Sequence, residues 1–331
     1  MEDNAVMVEA TGSPLEREEG IWLKVRADFG EGELILSPRW RESAVVIREG
    51  VKLLLLYPRK DGSTLFLDGE GLLVLEPGYL VEPTRISSFA ICPLLPRLED
   101  QFSSPLTYHQ VLGRLVHLLF SKVVLSKKRI DIVQEARKII VKEKRGMTQL
   151  PRLPSDEGLL LDILDTIGPI IPWVSEMKVK YARLKRGVEF SLSSSRLGIK
   201  GRIDAIFLDE ARKKAVVIEL KSGGAKGFSS YEEHRIQLLS YLLLVQEEMF
   251  QGQGELEGFV LYCGEREIFP ERRVILSRER ASEIMNLRNR FVASRLSLYR
   301  PEAHLRWHRC FKCSYLAYCE IGERRLGGIK R

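Results

Sequence analysis

The chain has 331 residues, of which 44% are hydrophobic and 29% charged, and its formal net charge is +7. This length and composition predict a globular protein with one large or two ordinary domains, each with a real core. No run approaches about 20 apolar residues and no basic leader precedes an apolar segment, so we expect no membrane span and no secretory signal. We therefore expect a cytoplasmic protein. The basic charge fits a polyanionic partner without establishing one.

The N-terminal quarter is rich in short β-type runs. Residues 1–20 are predicted to be disordered, and residues 21–85 are predicted to form a small antiparallel barrel of OB-like size. The runs, separated by Gly, Pro, Asp and Arg, are IWLKVRA, ELILS, AVVIRE, VKLLLLYP, STLFL and GLLVLEP.

Residues 86–331 alternate between helical and strand patterns. Apolar residues at three-to-four spacing predict helices in TYHQVLGRLVHLLFSK and RIDIVQEARKIIVKEK, and GMTQLPRLPSDEG is predicted to be a loop. The predicted strands are VKYARL, GVEFSLSS, GIKGRIDAIFL, AVVIELKSG, EGFVLYCG and RRVILS, with helices at 230–250 and 280–296. This order predicts an α/β core. No GxxxxGK[ST] motif is present, so we expect no bound nucleotide.

Two carboxylates fall at the ends of neighbouring predicted strands. Asp204 ends one apolar run, and Glu219 with Lys221 ends the next. Paired carboxylates form a hard oxygen site for Mg²⁺ or Mn²⁺, and Lys221 shares a strand face with Glu219 and can orient a water. An acid followed by ELK also occurs by chance, so these residues alone leave a catalytic site and a coincidence equally open.

The next predicted helix adds polar side chains. Gln237 and Tyr241 are one turn apart on one face, where an amide and a phenol can contact a phosphate. Packing of Tyr241 in the core is the alternative. Arg235 is predicted to face solvent or DNA, and Lys200 and Arg202, flanking the metal-binding strand, are predicted to contact the DNA backbone.

Asp-(x14)-ExK with a following QxxxY resembles the RecB-like branch of the PD-(D/E)XK nucleases, and GRLVH, which ends at His117, resembles its upstream helical motif. The resemblance implies a restriction-endonuclease-like core with a mixed central sheet flanked by helices. It also implies that His117 joins Asp204 and Glu219 as a metal ligand, with the Leu220 carbonyl as a fourth. Without the resemblance, His117 would be interpreted as a core histidine. Glu189 stands where relatives carry another acid, although a solvated strand position is an equal alternative.

Four of the five cysteines bracket the predicted core. They are Cys92, Cys310, Cys313 and Cys319. In a reducing compartment, clustered thiolates are expected to bind a metal, and four of them suit either Zn²⁺ or a 4Fe-4S cluster. His304 and His308 would also permit a Cys3His zinc site. Cys263 lies within an apolar strand and is predicted to pack as a small hydrophobic residue.

This bracketing resembles the iron-sulphur RecB-like nucleases, which include CRISPR-associated enzymes and the nuclease domain of eukaryotic flap-processing nuclease-helicases. The resemblance to the latter group extends from about Arg39 to Cys319 and includes the β-rich N-terminal module. It implies a 4Fe-4S cluster and a metal-dependent deoxyribonuclease acting on single-stranded DNA, ends or flaps in replication or repair. Because no helicase follows in this chain, we expect a helicase or single-strand-binding protein to act in trans.

Two alternatives remain open at this stage. A CRISPR-associated spacer-processing nuclease would use the same chemistry with an integrase partner. A DNA-binding scaffold subunit would carry a degenerate catalytic centre, and the intact acid, ExK and QxxxY residues argue against it.

Overall fold

The computed structural model describes residues 4–102, 107–128, 130–143, 154–223, 231–263, 272–302, 310 and 313–319. The chain divides into two compact units. Unit 1 comprises 1–104, 193–200 and 277–331, and unit 2 comprises 105–192 and 201–276. This division differs from the predicted boundary at residue 85, because the C-terminal helix and the cysteine-bearing tail group with the N-terminal strands.

Unit 1 contains a sheet in which eight strands are described. They are β1 (Ala5–Ala10), β2 (Leu15–Arg17), β3 (Gly20–Ala27), β4 (Gly30–Leu36), β5 (Lys52–Leu56), β6 (Arg59–Asp61), β7 (Thr64–Leu67) and β8 (Leu72–Leu75). The order is β6-β7-β4-β3-β1-β5-β8, with β2 beside β3. The β4–β7 pair is parallel, whereas β3 and its neighbours are antiparallel.

Three predictions for this module need correction. Disorder over residues 1–20 is wrong for the described residues 4–20, because β1 pairs with β3 and β5 and β2 pairs with β3. AVVIRE is not a strand, since it overlaps helix α1 (Arg41–Ala44) and then buries Val46 and Ile47 in irregular backbone. The order of the described strands runs from β6 to β8 and includes a parallel pair, and the predicted small antiparallel OB-like barrel is not confirmed.

Unit 1 also contains α2 (Pro83–Ile91), α3 (Leu95–Gln101) and α9 (Arg278–Arg295). A buried polar layer attaches α9 to the end of β8. Arg288 is fully buried and donates to the carbonyls of Leu75, Glu76 (2.9 Å) and Tyr79 (2.6 Å), while Leu75 N donates to Asn289 Oδ1 at 3.0 Å. These side chains satisfy backbone groups where the strand ends, which an apolar pattern could not reveal.

Unit 2 is built on a mixed sheet in which five strands are described. They are β9 (Lys185–Ser194), β10 (Ile199–Asp209), β11 (Lys214–Lys221), β12 (Glu255–Tyr262) and β13 (Arg273–Val274), in the order β13-β12-β11-β10-β9. β10 and β11 are antiparallel, whereas β11 and β12 are parallel and are connected through α8 (Glu232–Phe250). The predicted mixed central sheet with flanking helices is confirmed.

Side-chain alternation divides the two faces of this sheet. Val216, Ile218 and Leu220 on β11 belong to the apolar core that also contains α4 (Tyr108–Leu125), α5 (Ile132–Glu143), α6 (Asp156–Ile167) and α7 (Ile171–Lys180). The opposite face is covered by α8, whose Leu238 lies 3.0 Å from a Cβ built at Gly258. Glu219 therefore lies on the α8 face, between two buried core residues of the same strand.

The segment VKYARL was predicted to be a strand. This prediction is wrong, because α7 continues to Lys180 and β9 begins only at Lys185. Most of the predicted loop 146–158 lies outside the described residues.

The helical stretch Asp156–Lys180 is long and apolar enough by length and composition to span a membrane. It is divided by a 3-10 turn at Gly168–Ile170, and it contributes Leu160 and Ile163 to the core of unit 2. A core helix passes the same test, so this feature is weak support for a membrane span.

Candidate metal centre

The two predicted carboxylates meet where β10 and β11 lie side by side. Glu219 is near the end of β11, but Asp204 is in the middle of β10 and not at its end as predicted. The antiparallel register pairs Ala205 with Ile218, so Asp204 and Glu219 occupy the next opposing positions. Asp204 Oδ2 accepts a hydrogen bond from Leu220 N at 2.7 Å. The peptide N–H thus orients the carboxylate, and Asp204 Oδ1 remains available toward α4.

His117 reaches this carboxylate from α4. Its Nδ1 lies 3.2 Å from Asp204 Oδ1. One ligand atom each from His117, Asp204 and Glu189 lie within 4.8 Å of one another. One imidazole nitrogen and two carboxylate oxygens in this space are a donor set that suits Mg²⁺ or Mn²⁺.

The position of α4 depends on its cap and on a glycine. Thr107 Oγ1 accepts from Gln110 N, and the Gln110 side chain accepts from Thr107 N, which forms a capping box at the start of the helix. Two turns along, a Cβ at Gly113 would lie 2.9 Å from Ser222 Oγ, just beyond β11. Glycine at the first position of the GRLVH motif therefore permits the close approach that brings His117 to Asp204.

Glu189 is brought into the ligand group by an unusual backbone conformation. Its φ is +47°, in the left-handed region that non-glycine residues seldom occupy. Such conformations persist where surrounding structure compensates their cost, and they concentrate at functional sites. Its Oε2 also lies 2.8 Å from Arg202 Nε, and Arg202 is mostly exposed. Of the two interpretations left open by the sequence, the structure places Glu189 beside the ligands.

Glu219, predicted as a metal ligand, is not part of this group of three and instead forms hydrogen bonds with Lys221 and Gln237. Its Oε1 accepts from Lys221 Nζ at 2.8 Å and from Gln237 Nε2 at 2.7 Å. Lys221 Nζ also donates to Gln237 Oε1 at 2.7 Å. The carboxylate, ammonium and amide form a closed triangle, and Glu219 and Gln237 are only 4% and 6% exposed. Such a network holds all three side chains in one geometry.

Burial and neighbouring charges shift the pKa values of two side chains in the site, Glu219 and His117. Burial raises the pKa of Glu219, as does the nearby Asp204 charge, and Lys221 and His117 oppose this shift. Burial lowers the pKa of His117, but the hydrogen bond and charge of Asp204, with Glu219 and Glu189, outweigh burial and raise that pKa overall. The carboxylate charge raises both pKa values, in addition to burial for Glu219 and against burial for His117, and a divalent cation would neutralise that charge.

The remaining predicted residues lie at different depths. Tyr241 is 4% exposed, one turn beyond Gln237 on α8, so its predicted contact with a phosphate stays a prediction. Lys200 is exposed, and Arg202 is paired with Glu189. Arg235 Nη1 lies 3.8 Å from Glu232 Oε2, a weak helical pair.

Sequence reasoning missed a neighbour of the lysine. Tyr262 at the end of β12 is in register with Lys221, and its hydroxyl lies 2.8 Å from His234 Nδ1. Tyr231 N donates to the same hydroxyl at 3.0 Å, which ties the start of α8 to the strand. Tyr262 could have been found from the parallel register of β11 and β12, but the sequence alone does not show how these strands pair.

The predicted cysteine ligands all belong to unit 1. Burial raises the pKa of the Cys92 thiol, and the nearby Cys319 and Cys310 raise it further. Cys313 N donates to Cys310 O at 3.0 Å, which closes the CxxC turn. The neighbouring Tyr318 stacks on Phe102 at a centroid distance of 4.1 Å. The tail thus packs near Cys92. His304 and His308 lie outside the described residues.

Cys263 is buried in the core of unit 2, as predicted for a small hydrophobic residue, and burial raises its pKa to about 12.

The sheet, the carboxylate pair and the ExK lysine define the class of this protein. The chain belongs to the PD-(D/E)XK nuclease superfamily, whose sequence pattern matches residues 81–320. Enzymes of this superfamily use divalent metal ions.

Individual relatives are DNA replication ATP-dependent helicase/nuclease DNA2 proteins. The Bos taurus protein is 23% identical over 72% of this chain and 26% of its own length. The Mus musculus protein is 24% identical over 78% and 28%, and the Homo sapiens protein is 24% identical over 72% and 26%. The chain thus spans about a quarter of the length of these relatives. The predicted resemblance is confirmed.

Proposed function

We propose that this protein is a Mg²⁺- or Mn²⁺-dependent deoxyribonuclease that cleaves single-stranded DNA, ends or flaps during replication or repair. The observation that carries the proposal is the convergence of His117, Glu189 and Asp204 within 4.8 Å. The names of the relatives, which join DNA replication to nuclease activity, support this role over spacer processing.

The donor set fits a divalent cation. His117, Asp204 and Glu189 would supply the first ligands, and Glu219 and the Leu220 carbonyl are proposed to complete the set. A bound cation would polarise the scissile phosphate and lower the pKa of a water ligand. Three carboxylates, Asp204, Glu189 and Glu219, lie near one imidazole, and their mutual repulsion supports this assignment because a divalent cation would relieve it.

The other side chains are proposed to prepare the attack. Lys221 would hold a water near the phosphate and offset the charge that develops on the phosphoryl oxygens. Gln237 orients Lys221 and Glu219 through its two hydrogen bonds. Tyr241 is proposed to position the phosphate from behind Gln237. Lys200 and Arg235 are proposed to contact the DNA backbone.

The test is cleavage of end-labelled single-stranded DNA with Mg²⁺ or Mn²⁺. Glu219→Ala should abolish cleavage and retain DNA binding measured in EDTA. Glu255→Ala is the matched control, since Glu255 is 72% exposed and pairs only with Lys214 among the described side chains. Unchanged cleavage by Glu219→Ala would refute the site. Binding without any cleavage by the native protein would support the scaffold alternative.

For the cysteines we propose a 4Fe-4S cluster held by Cys92, Cys310, Cys313 and Cys319, with Zn²⁺ as the alternative. Support comes from the electrostatic proximity of Cys92 to two of the other thiols. A cluster there would link the C-terminal tail to the end of α2 and so stabilise unit 1. Anaerobically purified protein should contain about four irons per chain, and stoichiometric zinc with no iron would contradict the cluster.

The cellular setting is proposed from the same features. Five free cysteines fit a reducing compartment, for which we propose the cytoplasm. A helicase or single-strand-binding protein is proposed to present the single strand, since the relatives are named as combined helicase and nuclease proteins.

A further inference from the structure

A cavity of about 450 Å³ opens on unit 1 between α3, the end of α9 and the cysteine-bearing tail. Its lining combines three arginines with three aromatic rings. These residues are Arg97, Arg295, Arg300, Phe291, Tyr299 and Tyr318. Within the part of the chain that the structure describes, none of the residues that line the cavity is acidic. The volume is within the range of small-ligand sites, and the lining suits a ligand that is both anionic and planar.

Two of the three arginines are available to such a ligand. Among the described residues, neither Arg97 nor Arg300 forms an ion pair, and both are exposed. Arg295 lies 2.9 Å from Asp100, and Arg85 pairs with both Asp100 at 2.6 Å and Glu99 at 2.7 Å, so these two arginines are matched by two carboxylates. The positive charge that a ligand could meet is therefore that of Arg97 and Arg300.

The aromatic side of the cavity is fixed in place. Tyr318 is 55% exposed, and the ring of Phe102 stacks on it with an interplanar angle of 17°. Phe291 is buried and packs edge-on against Phe89. An exposed aromatic ring that is stacked on a second ring is the type of platform on which a nucleobase stacks.

We propose that this cavity binds one nucleotide unit of the single-stranded DNA substrate, with Arg97 and Arg300 on the phosphates and Tyr318 beneath the base. The inference rests on the proposed function, since it names a second contact with that enzyme's substrate. Guanidinium groups pair with phosphate oxygens in bidentate geometry, and stacking on tyrosine tolerates any base. The site would therefore contribute affinity without sequence preference.

The test is fluorescence anisotropy with a labelled oligothymidine in EDTA, in which cleavage cannot occur. The double variant Arg97→Ala, Arg300→Ala should bind about tenfold more weakly, and its slope of log K against log salt should be shallower by about 1.4, or about 0.7 for each lost phosphate contact. The control Lys24→Ala, Arg26→Ala removes the same charge from exposed positions on β3. Affinity and slope equal to those of this control would overturn the inference.

A second variant separates stacking from charge. Tyr318→Leu should weaken binding at least about fivefold with an unchanged salt slope, because it removes a ring and no charge. Metal content at the cysteine site is measured in parallel, and a loss of affinity that occurs only with loss of metal would count against direct stacking. Displacement of the oligomer by thymidine 5′-monophosphate, abolished by the arginine variant, would indicate a site for released product and overturn the strand assignment.

Failure of the two proposals is distinguishable. Normal cleavage with arginine-independent binding would overturn only the cavity inference. Arginine-dependent binding without cleavage by the native protein under any divalent ion would overturn only the nuclease proposal.

Discussion

Gln237 donates its side-chain amide to Oε1 of Glu219 at 2.7 Å, so a neutral group from α8 holds a buried carboxylate of β11 in place. The same amide accepts from Lys221. The QxxxY glutamine thereby sets the geometry of both ExK side chains, in addition to the contact with phosphate that the sequence predicts.

Replacing Gln237 by Leu should lower kcat of cleavage by about 10- to 100-fold, which is the usual effect of losing an orienting partner. The substitution keeps the size of the side chain and removes both hydrogen bonds. Gln246→Leu is the matched control on the same helix, where the side-chain amide donates to Gly252 O at 2.9 Å and to no other described residue. Equal kcat values for the two variants would show that Gln237 does not orient the site.

Glu189→Gln should raise the Mn²⁺ concentration for half-maximal cleavage by about 10- to 100-fold, because one anionic ligand is lost. Titration of Mn²⁺ in the cleavage assay measures this shift. Glu210→Gln, at an exposed position 3.8 Å from Lys185, is the control. If Arg202→Gln produces the same shift as Glu189→Gln, the ion pair with Arg202 is responsible and Glu189 is not a ligand.

Gly198→Ala should destabilise unit 1 strongly. Gly198 has φ +62°, and an added Cβ would overlap the guanidinium of Arg288. The same guanidinium donates a hydrogen bond to Gly198 O at 3.3 Å. Displacing a buried arginine from its carbonyl partners should cost about 3 kcal/mol or more in free energy of unfolding. Gly50→Ala, at φ +84° with no neighbour within 4 Å, carries only the backbone penalty of about 1 kcal/mol.

Denaturant titration of the two glycine variants measures this difference. A Gly198→Ala protein no less stable than Gly50→Ala would show that Arg288 can relocate without loss.

Acid should destabilise the fold through His234. Burial, followed by the charge of Lys221, lowers the pKa of His234 to about 4. Because an unfolded histidine titrates near about 6.5, the unfolded chain binds the proton first. The stabilisation from the neutral ring is therefore complete above about pH 6.5 and is lost as the pH falls toward about 4, with a loss on the order of 3 kcal/mol.

Free energies of unfolding between pH 4 and 7 test this prediction. His234→Gln should lose less stability than the native protein on acidification from pH 7 to pH 4, since Glu219 and His117, whose pKa values are raised, contribute in the opposite direction in both proteins. His109→Gln, at an exposed position, should follow the native dependence. An unchanged slope in His234→Gln would assign the acid sensitivity to other groups.

Much of unit 2 followed from the sequence because local patterns reflect local forces. Continuous apolar runs along β10 and β11 and three-to-four spacing along α4 and α5 arise from side chains a few residues apart. The prediction of a strand at VKYARL failed because the same short apolar pattern fits the end of a helix. The helix α7 is stabilised by packing of Val174 and Met177 against the core. The prediction of disorder over residues 1–20 failed because β1 is stabilised by pairing with β5, which lies about 45 residues further along the chain.

The sequence by itself determined the candidate residues for the chemistry: Asp204, Glu219 and Lys221 form the acid and ExK pattern, and the family motifs point to His117 and Gln237. Only the tertiary structure decided that Glu189 joins the ligand atoms and that Cys92 lies near the C-terminal thiols. It also decided that Arg288 caps the end of β8. These contacts join residues far apart in the chain, so they depend on strand register, on one left-handed backbone conformation and on the burial of polar groups that must find partners.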